Sequence, residues 1–163
     1  MATRVRCSVA IQPRDLTELR LLIELPALRK LADRGVSDQE LAVIRKLANA
    51  TMRSACRGDV PGYLQADMVF HLKLLELTGD PALYQVARLV LAPDLRHAQR
   101  LKQSGGLMAA EAWEHHELVN MLTDDMVSAA DDLLRHHVSR PCGNRREPAP
   151  VLAGPESVRC EEG

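Results

Sequence analysis

The chain has 163 residues, 46% of them hydrophobic and 26% charged, which is the balance of one folded domain rather than of a disordered or membrane-spanning chain. A formal net charge of -1 excludes the broad positive footprint of a nucleic-acid wrapper, and no apolar run reaches the ~18 residues that cross a bilayer. Only 2% is aromatic, so the core must be built from Leu, Val, Ala and Met, which apart from Val favour helices.

The N-terminal MATRVRCSVAIQPRDL has no long apolar segment, so it does not read as a secretory signal. VRCSVAI could be a short strand or an arm, and residues 1–13 are expected to form an N-terminal arm. From Arg14 the period turns helical: Leu16, Leu19, Ile23, Leu28 and Leu31 recur at threes and fours. Pro26 lies inside this run and should kink it, because proline removes an amide donor. GVSDQE then gives a stop and a start, with Gly35 as C-cap, Ser37 as N-cap and Glu40 three residues on. A second helix over about 38–57 turns Leu41, Ile44, Leu47, Ala48 and Met52 inward. A third is predicted over about 60–78, after Gly58-Asp59. TGDPAL starts a fourth at Pro81, with Asp80 as N-cap, and Pro93 should bend or break it. Ser104-Gly105-Gly106 reads as a loop, followed by helices over about 107–123 and 125–139, divided near Thr123-Asp124. After Arg140 the sequence is proline-rich and without helical period, so residues 140–163 are expected to be a disordered tail. The expected fold is therefore all-α: an antiparallel bundle of six to seven helices over residues 14–139.

Cys7, Cys56, Cys142 and Cys160 are scattered, with no C-x-x-C spacing. They read as reduced thiols of a cytoplasmic protein rather than as a disulfide framework or a zinc ribbon.

The stretch ADMVFHLKLLELTG, residues 66–79, raises a chemical question. Asp67 and His71 are four apart, so they share one helix face with Cβ atoms about 5–6 Å apart. Their flanks, Tyr63, Leu64, Phe70, Leu74 and Leu75, point that face into the bundle. A buried carboxylate is costly unless it is paired or bound to metal. Two adjacent histidine pairs, His115-His116 and His136-His137, lie on the last two helices, and neighbours diverge by about 100° around the axis. His115 shares its face with Ala112, Leu118, Val119 and Leu122, whereas His116 is followed by Asn120 and Thr123. His137 follows Ala130, Leu133 and Leu134, whereas His136 sits four after Asp132. His115 and His137 are thus the inward candidates. Asp67, His71, His115 and His137 form one N/O donor set suited to a divalent ion such as Zn, Ni, Mn or Fe(II). The plainer alternative is an ordinary hydrogen-bonded Asp–His pair with solvated histidines elsewhere. His97, beside Arg96 and near Arg100, reads as exposed.

The order of these motifs resembles the FCD domain, the C-terminal effector-binding domain of FadR-type GntR transcriptional regulators. The likeness runs over roughly 14–139, through LRLLIELPALRKLADR, SDQELAVIRKL, GDVPGYLQADMVFHLKLLELTGDPAL, EHHELVNML and LLRHHV. It implies that Asp67, His71, His115 and His137 correspond to the family's metal ligands, and that a small organic acid binds beside the metal. Arg20 matches a first-helix arginine that can engage such an acid through paired hydrogen bonds. Its alternative is a plain ion pair with Glu24 or Asp15. The resemblance further implies a homodimer rather than an enzyme or a membrane protein. Too few residues precede the first helix for a winged helix, so DNA would be reached only through an absent or separate domain. Pro93 departs from the family pattern. A metalloenzyme using the same site, or a truncated bundle without function, are the competing readings.

Overall fold

The computed structural model of the protein describes residues 13–140 except 92–94, 105 and 124–125. The expected N-terminal arm, the expected tail, the break at Pro93 and the Thr123-Asp124 division fall wholly or mainly outside these residues. Seven helices are described: α1 (Pro13–Arg34), α2 (Asp38–Cys56), α3 (Val60–Leu77), α4 (Pro81–Val90), α5 (Leu95–Gln103), α6 (Leu107–Thr123) and α7 (Val127–Ser139). The described residues contain no strand, as the helix-forming core composition predicts. None of these helices is long and apolar enough to cross a membrane.

Local chemistry sets the boundaries. α1 ends at Gly35, whose φ of 74° an L-side chain would resist, and α2 opens two residues later on Ser37. Ser37 Oγ accepts from the Glu40 amide, and Glu40 returns a carboxylate to the Ser37 amide, the reciprocal pairing the sequence predicts. Asp59 caps α3 by accepting from the Gly62 amide, and a Cβ on Gly62 would stand 2.1 Å from Asp59 Oδ2. Asp80 caps α4 through the Ala82 and Leu83 amides. α1 continues through Pro26, which lies on its exposed side, where the lost amide bond leaves the Leu22 carbonyl to water. Cys56, at the end of α2, is disulfide-bonded, not the reduced thiol expected of it, while Cys7, Cys142 and Cys160 lie outside the described residues.

The helices form an antiparallel bundle in which α2 packs on α3 and α6, α1 packs on α7 and α3, and α6 packs on α7. One core joins five of them through Leu28, Leu31, Ile44, Phe70, Leu118 and Leu134. A second joins α3, α5 and α6 through Tyr63, Leu101, Met108 and Ala112, and a third joins α1, α3 and α4 through Ala27, Leu75 and Ala87. α3 contributes to all three, so most of its circumference is covered by protein. Asp67 and His71 lie on this enclosed helix and are buried with it.

Candidate metal centre

α3, α6 and α7 meet at four polar side chains. Asp67 and His71 come from α3, His115 from α6 and His137 from α7, and all four are buried. The apolar stripes that carry them explain the convergence. Tyr63, Phe70 and Leu74 pin α3, Leu118 and Leu122 pin α6, and Leu133 and Leu134 pin α7.

The Nε2 atoms of His115, His71 and His137 lie 3.2, 3.6 and 3.7 Å from Asp67 Oδ1. His137 Nε2 is 3.2 Å from His71 Nε2 and 3.3 Å from His115 Nε2. Donor atoms on an ion with bonds near 2.0–2.1 Å stand roughly 3.3 Å apart in a tetrahedron and roughly 3.0 Å apart when cis in an octahedron. The spacing therefore fits one small divalent ion. Asp67 Oδ1, the oxygen at the centre of the group, is buried without a hydrogen-bond partner. An orphaned acceptor facing three imidazole nitrogens is the chemistry a cation would complete.

The outer ring nitrogens are also engaged. Thr51 Oγ1 donates to the Ala48 carbonyl at 2.7 Å, so at 3.1 Å from His115 Nδ1 it must accept, which fixes that ring with Nε2 free to ligate. His137 Nδ1 is 2.8 Å from Glu114 Oε2, and Arg140 in turn holds Glu114 Oε1. His71 Nδ1 is 2.7 Å from Glu24 Oε2, an ion-pair contact off the line of the N–H. Arg20 Nε donates to the other oxygen of Glu24 at 2.7 Å. Each imidazole is thus oriented by an oxygen behind it, as metal-binding histidines are.

The electrostatics follow from this packing. Burial alone would raise the Asp67 carboxyl, but the imidazoles of His115, His137 and His71 gathered around it outweigh burial and hold the group well below the usual range. Burial pushes His115 down to about 4. Burial also acts to lower His137, yet Asp67 and Glu114 bring it up to about 9. Glu24 falls to about 2 because Arg20 and His71 overcome its burial.

Sequence reasoning brought the four candidate ligands to one place, and the structure places them there. Arg20 does pair with Glu24, the plainer alternative for it, but only through Nε; its Nη2 is buried and has no partner. His97 departs from expectation: it is partly buried and meets Glu111 Oε2 at 2.9 Å, because α5 packs over α3 and α6. Thr51, Glu111 and Glu114 were not legible as site residues. Glu114 stands next to His115, and Glu24 four after Arg20, but nothing in those spacings says which other helix they face.

The sequence profile of the FCD domain matches residues 15–140. No curated protein matches the chain. Among solved structures, it is similar to Lar, described as controlling expression of the Listeria monocytogenes agr system and mediating virulence. The TM-score is 0.70 at 14% identity, over 80% of this chain and 62% of that one. It is also similar to McbR/YncC of E. coli, with a TM-score of 0.67 at 16% identity, over 78% of this chain and 60% of that one. The chain therefore spans about three-fifths of the length of each. Identities this low speak for the fold alone.

Proposed function

The chain belongs to the FCD domain family, the ligand-sensing domain of GntR-type transcriptional regulators, and from that premise we propose that it senses a small organic acid through a bound divalent metal ion. The observation that carries this reading is the buried, unpartnered Asp67 Oδ1 ringed by three oriented imidazoles. Asp67, His71, His115 and His137 would hold the ion, with Zn, Ni or Mn suiting the donor set. When bound, the ion supplies a Lewis-acidic partner for a carboxylate oxygen. Arg20 supplies the matching charge-assisted donor, since its Nη2 is buried and lacks an acceptor. The acid is the signal. It acts by binding one arrangement of the helices more tightly than another, and so alters the geometry of a homodimer. DNA would be reached through a winged-helix domain, not through this bundle.

The metalloenzyme alternative needs a carboxylate free to serve as base. Glu24 is held by Arg20 and His71, Glu114 by His137 and Arg140, and Glu111 by His97 and Tyr63. This favours binding over turnover.

The test combines metal content with ligand response. The purified protein should carry close to one divalent ion per chain by elemental analysis, and the double variant Asp67→Ala, His137→Ala should carry none. Short carboxylates should raise the melting temperature of the first and leave the second unmoved. An undiminished metal content in the double variant would refute the assignment.

A further inference from the structure

A second group of charged side chains gathers around Glu111. His97 Nε2 lies 2.9 Å from Glu111 Oε2, and the Tyr63 hydroxyl donates to the same oxygen at 3.4 Å. Arg140 Nε approaches Glu111 Oε1 only to 3.9 Å, beyond hydrogen-bonding reach. Arg100 Nη1 donates to the Arg140 carbonyl at 2.9 Å, which ties the end of α5 to the residue that follows α7. Among the described residues Arg100 has no carboxylate partner. Both Arg100 Nε and Arg140 Nε are buried and have no acceptor.

A buried guanidinium N–H left unmade is expensive, and two of them on arginines joined by the bond from Arg100 to the Arg140 carbonyl call for an anion rather than for more protein. Neither is explained by the ion or by Arg20. Yet the two groups are contiguous, because Arg140 also holds Glu114, the carboxylate behind His137. We propose that Arg100 and Arg140 form a second anion seat, and that the sensed acid is a short dianion with one carboxylate beside Arg20 and the ion and another anionic group at this seat. The inference rests on the carboxylate-sensing reading above and adds to it the class of ligand.

Titration calorimetry of the Zn(II)-reconstituted protein can test it with matched pairs: butyrate against succinate, valerate against glutarate, and 3-phosphonopropionate as a dianion whose second group is not a carboxylate. At least one dianion should bind about tenfold or more tightly than its monoanionic counterpart, as expected for added charge-assisted hydrogen bonds. Arg100→Gln should bring that ratio close to one, and Arg100→Lys, which keeps the charge, should restore part of it. A wild-type ratio near one, with the monocarboxylates still binding, would overturn the second seat and leave the sensor reading standing. An unchanged ratio in Arg100→Gln would likewise overturn it. If no probe binds saturably, both readings fall.

Discussion

Thr51 bears on the site without offering it a ligand atom. Its hydroxyl is committed to Ala48 and so presents only a lone pair to His115 Nδ1. Thr51→Val keeps the shape and removes that lone pair, which leaves the ring free to adopt the tautomer that cannot ligate through Nε2. Metal affinity should drop about 10- to 100-fold while the fold persists, and Thr51→Ser should retain most of it. Competition against a chromophoric chelator would measure both. This dependence could not be found in the sequence. An Asp and a His four apart are visible on one helix, but the oxygen that fixes a third ligand comes from α2, and no spacing along the chain relates positions 51 and 115.

At the scale of elements, α2 shows how local chemistry and pH act together. Its capping box, Ser37 with Glu40, was legible because the two residues stand three apart ahead of an apolar stripe. Ser37→Ala should cost about 1 kcal/mol, read as a lower melting temperature. Glu40 also pairs with Arg34, and bonds from Arg34 and Ser37 bring its carboxyl down to about 2. Its folded value lies below its unfolded one, so its contribution is complete above the ordinary carboxylate range and is lost as the pH falls toward 2. Glu40→Gln should therefore lower stability above the carboxylate range, flatten part of the acid limb of a stability-versus-pH curve and leave the slope above pH 6 unaltered. Helix existence and order were legible because caps and apolar periods are local. The partly buried place of His97 was not, since it depends on α5 lying over α3 and α6.

Across the whole molecule, the proposed ion would join α3, α6 and α7 at the centre of the bundle. Removing it with a chelator should lower the melting temperature by several degrees, since an ion at a hundredfold excess over its Kd contributes about 2.7 kcal/mol. Leu118→Ala, in the fully buried core beside it, should cost about 2–5 kcal/mol even without metal, and calorimetry of the chelated protein separates the two effects. The fold class was legible because the composition left no other way to build a core. The ligand set was legible because two inward histidines could be chosen by helix face. The arginines around Glu111 were not, because their roles appear only once α5, α6 and the end of α7 are brought together.

Glu24 divides its two oxygens between Arg20 and His71. A single carboxylate thus touches both the cation that would greet the acid and the imidazole that would grip the metal. Thermodynamic reciprocity then applies: whatever factor the metal adds to acid affinity, the acid must add to metal affinity. Neutralising this one side chain, as in Glu24→Gln, should shrink both factors together, so that each partner is bound with less regard for the other.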